Sequence, residues 1–197
     1  MFQSHSSLVV RPGRVAPNMF TRTTVGACRR QGPSLILSQR HITPEWMDDP
    51  AIPAEMHAHA LRALRRIHWI SGTARSLWRR LRPIATSLGR PARVLDLACG
   101  RGDLIEGLDR LARQAGCELQ LAGCDVSAAA LELARRHLDE AGVEAQLVRL
   151  DLTADPLPRG HDVVVTSLFL HHLSDQQIVS LFGRIAEAAG HLIASDL

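Results

Sequence analysis

Hydrophobic positions along the chain fall into two textures that meet near residue 90. Between Pro53 and Ile70 apolar residues recur at helical spacing: Met56, Ala60, Leu61, Leu64, Ile67 and Ile70. That period puts them on one helix face. Ser71-Gly72-Thr73 interrupts it, and Thr73 is placed to cap a second helix over 74–88. Leu77, Trp78, Leu81, Ile84 and Leu88 share a face of that helix, and Gly89 stands at its stop position. From residue 92 onward, short apolar runs alternate with amphipathic segments. The pattern predicts strands at 94–98, 119–124, 145–150, 161–166 and 191–194, with helices at 103–116, 127–141 and 174–188. Short apolar strands separated by helices build right-handed βαβ units around a parallel sheet, so the expected fold class is α/β, doubly wound.

Residues 1–40 have neither period. They are rich in Ser, Thr, Arg, Gly and Pro, a composition that predicts a disordered extension. Pro12, Gly13, Pro17, Gly32 and Pro33 interrupt any long amphipathic helix, so an uncleaved extension is preferred over a targeting signal. The expected organisation is therefore an Arg-rich extension at 1–40, helices at 41–90 and an α/β core at 91–197.

Charge sharpens this division. The formal net charge is +3, but residues 1–40 hold six Arg and no acid, which is +6. Residues 41–197 hold the other 17 Arg and all 20 acids, which is −3. The acidic core argues against nucleic acid as the main partner. Scarce aromatics (four Phe, three Trp, no Tyr) argue against a stacking platform for single strands. No apolar run is long enough to span a membrane. Cys28, Cys99, Cys117 and Cys124 show no CxxC or zinc spacing, so they read as free thiols in a reducing, cytoplasmic setting. His57 and His59 point to different helix faces and His68 lies eleven positions beyond His57, so no metal site is expected there.

Ligands of open parallel sheets bind beyond the carboxyl ends of the strands. The first predicted strand runs into Asp96-Leu97-Ala98-Cys99-Gly100-Arg101-Gly102-Asp103. Gly100 and Gly102 allow a tight turn and close approach of a ligand, and the next helix points its N–H groups at the same place. Asp96 repels a pyrophosphate and suits a cationic amino group. Ile105 occupies the third glycine position of a dinucleotide fingerprint, which is therefore not met. The second strand ends at Asp125-Val126, where an acid accepts from ribose hydroxyls or caps the following helix. The third ends at Asp151-Leu152, where an acid accepts from an exocyclic amine or serves a turn. The fourth ends in Ser167-Leu168-Phe169-Leu170-His171-His172.

Together, "LDLACGRGDL", the acids at 125 and 151, and "FLHHLSD" resemble the class I S-adenosylmethionine-dependent methyltransferases, within their UbiE-like small-molecule group, over residues 92–197. The resemblance implies a Rossmann-like sheet with N-terminal cap helices and S-adenosylmethionine as cofactor. It implies that Asp96 holds the methionine ammonium and that Ala98, Gly100 and Gly102 line the methionine and ribose. Asp125 would take the ribose hydroxyls, Val126 would pack on adenine, and Asp151 with the Leu152 backbone would meet the adenine edge. Ser167 and Leu168 would lie near the transferable methyl. Ala98 stands where the common motif has glycine, an added methyl group.

The implied reaction is direct SN2 transfer to a small-molecule acceptor, phenolic or quinol-like, with His171 or His172 as candidate base. One of this pair is expected to pack against or cap the 174–188 helix. The family sheet has seven strands, whereas Asp196-Leu197 follow the fifth predicted strand directly. Strands six and seven are therefore missing from the expected fold: either the chain is a truncated fragment with its last strand as an unpaired edge, or that edge is covered by something else. A cofactor-binding protein without turnover remains an alternative, followed by a nicotinamide-dependent oxidoreductase and an RNA methyltransferase acting through the Arg-rich tail.

Overall fold

The computed structural model describes residues 7–10 and 72–196. The expected helix over 53–70, most of the 1–40 extension, Cys28, His57, His59 and His68 lie outside the described residues. Six strands form one sheet: β1 (Ser7–Val10), β2 (Ala92–Leu97), β3 (Leu119–Asp125), β4 (Ala145–Arg149), β5 (His161–Ser167) and β6 (Ala189–Ser195). Their spatial order is β1-β6-β5-β2-β3-β4. β2 to β6 are parallel, as the apolar runs predict, and β1 is antiparallel to β6. Helices α1 (Thr73–Ser87), α2 (Asp103–Gln114), α3 (Ala128–Ala141) and α4 (Asp175–Ala188) cover the two faces.

The cores follow from side-chain alternation. Val94, Leu121, Val163, Val165 and Ile193 face a cluster completed by Leu77 and Leu81 of α1, Ile105 and Leu108 of α2, and Leu131 and Leu138 of α3. The intervening Leu95, Leu97, Ala122, Val164 and Leu192 face Leu181 and Ile185 of α4, with Leu150, Leu152 and Leu157. Strands buried on both faces read as continuous apolar runs, which is why Val163-Val164-Val165 is legible as a central strand.

Two expectations need correction at the sheet edge and at the first helix. Ser7–Val10, within the expected structureless extension, pairs with β6 from Ser7↔Ser195 to Val10↔Leu192. β6 is therefore covered along that register, and not left as an open edge. Leu8, Val9 and Val10 form a run too short to announce a strand alone; it becomes one where β6 offers unpaired backbone groups. At α1, Gly72 occupies the cap position without a side-chain bond, and Thr73 is the first helical residue and is buried.

The strand order reverses between β2 and β5, so their carboxyl ends frame the switch-point crevice. Two non-glycine residues leave those ends with left-handed backbone, Ala98 (φ 54°) and Leu168 (φ 51°). At Ala98 the methyl group thus carries a conformational cost that sequence alone does not reveal. A left-handed L-residue costs about 1–2 kcal/mol, partly offset by the greater unfolded-chain freedom of glycine. Ala98→Gly is expected to raise the unfolding free energy by roughly 0.5–1 kcal/mol, read from urea denaturation. Equal or lower stability would show that this backbone strain is compensated.

Candidate functional site

Asp96 is the most deeply buried of the strand-end acids. It sits on β2 between Gly123 of β3 and Val165 of β5, and is 3% exposed. Gly123 is required by packing: a Cβ there would meet Cys99 Sγ and Ile105 Cδ1 at 2.8 Å. Burial first, and the neighbouring Asp125 second, push the Asp96 carboxyl well above the usual carboxylate range. Among the described residues no hydrogen-bond donor reaches it. A buried acid without a donor is an incomplete pair, and an ammonium group completes it.

This arrangement makes binding of an ammonium ligand pH-dependent. The acid holds its proton more firmly in the folded apo protein than in the unfolded chain. It therefore withdraws stability as pH rises from the unfolded value through the raised folded one. An ammonium binds the ionised form, so complex formation expels the proton. Affinity for S-adenosylhomocysteine should climb with pH above the ordinary carboxylate range and level off beyond the raised value. Asp96→Asn should flatten that profile and weaken binding. Calorimetry across pH checks this, and a wild-type profile as flat as the variant's would refute it.

The glycine turn is tied to the next strand end. The Gly100 N–H (φ 53°) donates to Asp125 Oδ2 at 2.9 Å, and the Ser127 N–H donates to Asp125 Oδ1 at 2.9 Å. Ser127 itself caps α3 by accepting from the Ala130 N–H. Asp125 thus is not the cap, and each of its oxygens keeps a second lone pair for a ligand. Val126, beside it, is 58% exposed, an apolar side chain turned largely to the surface. Gly102 (φ 83°) lies against Leu138, which a Cβ would meet at 3.2 Å.

At the third strand end Asp151 serves a turn. Its Oδ1 accepts from the Thr153 N–H at 2.7 Å and the Thr153 hydroxyl at 2.6 Å. The Thr153 hydroxyl is the leading cause that lowers the Asp151 pKa. The Leu152 side chain is buried in the second core, and among the described residues nothing accepts from its N–H. An acceptor and an open donor thus stand side by side.

At the fourth strand end the Leu168 N–H donates to the Ser195 carbonyl at 2.9 Å. His171 sits in the short 3₁₀ turn Leu170–His172. Its backbone N–H donates to Asp196 Oδ2 at 2.9 Å, and its Nδ1 lies 2.6 Å from Asp196 Oδ1. A carboxylate accepts, so the proton is on Nδ1. The His172 ring lies 4.1 Å from that of His171. Neither caps α4: Ser174 does, in a reciprocal capping box with Gln177. Asp196 escapes sequence reasoning because it closes the fifth strand, whose end carries no motif; an acid at one more strand end was the signal.

Two further groups lie outside this constellation. Asp103, Glu106 and His137 converge across α2 and α3. Arg101 Nη2 lies 2.7 Å from His137 Nδ1, and arginine only donates, so the His137 proton is on Nε2, which lies 2.9 Å from Glu106 Oε2 but outside hydrogen-bond geometry. In that tautomer Nε2 has no lone pair for a metal ion, and the set braces the glycine turn against α3. Cys99, Cys117 and Cys124 are free; burial pushes the Cys99 and Cys124 thiols up, which leaves them unreactive.

A crevice at a switch point, framed by a buried acid, a glycine turn and two further strand-end acids, defines a class: α/β proteins whose ligand site lies beyond the carboxyl ends of a parallel sheet. Residues 94–190 match the methyltransferase domain family, and over that segment the chain is similar to class I S-adenosylmethionine-dependent methyltransferases. Among curated relatives, a ubiquinone biosynthesis O-methyltransferase of Thiobacillus denitrificans is 34% identical over 53% of this chain and 44% of that protein. Another from Alkalilimnicola ehrlichii is 36% identical over 60% of this chain and 47% of that protein. A ribosomal RNA small subunit methyltransferase C of Hamiltonella defensa is 37% identical over 51% of this chain and 28% of that protein. The chain thus spans less than half the length of these relatives. Among solved structures, the S-adenosylmethionine-dependent methyltransferase SibL superposes with TM-score 0.55 at 25% identity, over 73% of this chain and 40% of that one. Magnesium protoporphyrin IX methyltransferase of Synechocystis, with bound S-adenosylhomocysteine, superposes with TM-score 0.52 at 21% identity, over 62% of this chain and 53% of that one. The residues present fit the cofactor: a buried acid lacking a donor for the ammonium, an open N–H at Leu152, and a largely exposed Val126. Among the described residues no helix is long and apolar enough to cross a membrane.

Proposed function

We propose that this chain methylates a hydroxyl of a small phenolic or quinol-like acceptor. The observation that carries this reading is the His171–Asp196 pair, held at the carboxyl rim beside Leu168. Asp196 grips the backbone and the ring of His171 together, which fixes the orientation of the ring and its Nδ1–H tautomer. Asp96, Gly100, Gly102, Asp125, Val126, Asp151 and Leu152 would hold S-adenosylmethionine, with Ala98 against its methionine portion. The cofactor supplies a methyl group on a sulfonium sulfur, the electrophile for direct displacement. Ser167 and Leu168 would border the place of transfer, and His171 would take the proton of the acceptor hydroxyl. Asp196 holds the ring in one orientation for that transfer. The O-methyltransferase relatives support this acceptor class.

The first test is calorimetric titration with S-adenosylhomocysteine, with NAD as control. Saturable binding of the former alone is expected, followed by methyl transfer to catechol or hydroquinone acceptors. NAD binding would favour an oxidoreductase, and binding without turnover on any acceptor would leave a cofactor-binding protein.

A second reading has its own observation. α1 exposes Arg75, Arg79, Arg80 and Arg82 and carries no acid, a basic face outside the Arg-rich extension. With one relative named a ribosomal RNA methyltransferase, this face suits an RNA acceptor. Labelled methyl recovered in RNA and not in phenols would select it.

A further inference from the structure

Asp151 and Leu152 can read an adenine edge only if the turn that carries them is fixed, and the fixing group is on another element. Arg184 projects from α4, whose Leu181 and Ile185 are anchored in the second core. Its Nη1–H donates to the Asp155 carbonyl at 2.6 Å, and its Nη2–H donates to the Leu152 carbonyl. Its Nε is buried without a hydrogen-bond partner, so the guanidinium is removed from water where it meets the turn. The turn is otherwise closed on itself. The Asp151 N–H donates to Asp155 Oδ2 at 2.8 Å, the Asp155 N–H donates to the Asp151 carbonyl at 2.8 Å, and Thr153 binds Asp151 Oδ1. These bonds shape the turn internally; among the described residues the polar tie that places it against the sheet's second helical face is Arg184.

We propose that Arg184 is a positioning residue that sets nucleobase specificity, because it aims the Asp151 carboxylate and the Leu152 N–H at the base edge as a fixed acceptor–donor pair. This rests on the reading of Asp151 and Leu152 as adenine contacts. Adenine offers the complement, an amine that donates beside a ring nitrogen that accepts. Hypoxanthine offers the inverse, a carbonyl beside a ring N–H. A rigid pair discriminates between them; a loose turn reorients and does not. The Arg184 carbonyl bonds span 29 and 32 residues of sequence, so the device is assembled only by the fold.

The test compares S-adenosylhomocysteine with S-inosylhomocysteine on the full chain by calorimetry. Wild type should prefer the adenosyl compound by about tenfold or more. In Arg184→Gln the preference should collapse to within about threefold, chiefly through weaker adenosyl binding, with thermal unfolding followed in parallel. Arg184→Lys, which keeps the charge but gathers its donors on a single nitrogen, should fall between, and it decides the matter if the Gln variant does not fold. An unchanged preference in a folded variant overturns the proposal, and so does an equal loss for both compounds. A wild type that binds both compounds equally sinks instead the adenine reading of Asp151 and Leu152, and no binding of either sinks the cofactor reading itself.

Discussion

Gly100→Val should abolish S-adenosylhomocysteine binding. Gly100 sits at φ 53°, and its N–H is the donor that joins the turn to Asp125. A β-branched residue is a genuine outlier in that region, at more than the 1–2 kcal/mol typical of ordinary residues, so the turn must refold away from its present path. Refolding removes the Asp125 tie and places two methyl groups where close backbone approach is needed. The combined loss is expected to exceed about a hundredfold in affinity, roughly 3 kcal/mol. Gly116→Val supplies the control. Gly116 also has positive φ (64°), but it lies between α2 and β3 at the opposite rim, where an added Cβ would meet nothing within 4 Å. It should lose stability and keep affinity. Normal binding by folded Gly100→Val would move the pocket elsewhere.

The second large effect concerns turnover. His171→Ala should lower kcat on a phenolic acceptor by about 10²–10⁴-fold, the usual contribution of a positioned proton acceptor. Cofactor affinity should stay within about threefold, since no cofactor contact is assigned to the ring. Asp196→Asn keeps an oxygen for the His171 backbone N–H but loses the charge, and should lower kcat by roughly tenfold or more with KM little changed. Single-turnover transfer of a labelled methyl group separates these effects. Full activity in His171→Ala would leave alignment alone to carry the reaction and remove the base from the mechanism.

The parallel core was legible because its signals are local. Three consecutive valines, a glycine after each of α1, α2 and α3, and a serine before each of α3 and α4 announce their elements without help from distant residues. The strand-end acids were legible for the same reason, since topology alone sends every such end to one rim. What escaped were pairings across sequence. β1 forms only because β6 lies exposed beside it, and no property of Ser7–Val10 says so. Asp196 gains meaning from His171, twenty-five positions earlier, and Arg184 from the turn at 151–155. The left-handed backbone at Ala98 and Leu168 was hidden differently. Glycine would have signalled it, but alanine and leucine hold it under constraint from the surrounding strands.

The antiparallel course of β1 also governs how the protein can be handled. Ser7 stands opposite Ser195, so the polypeptide enters and leaves the sheet at one rim, the same rim that holds Asp96 and the histidines. An affinity tag or fluorescent fusion placed directly before Ser7 or after Asp196 is therefore delivered to the mouth of the crevice, where it can obstruct ligands and report falsely weak binding. The turns at Gly116 and Gly142 emerge on the far side, and Gly142 has open space around it. A short label inserted there, or a surface attachment made there, leaves the mouth facing solution.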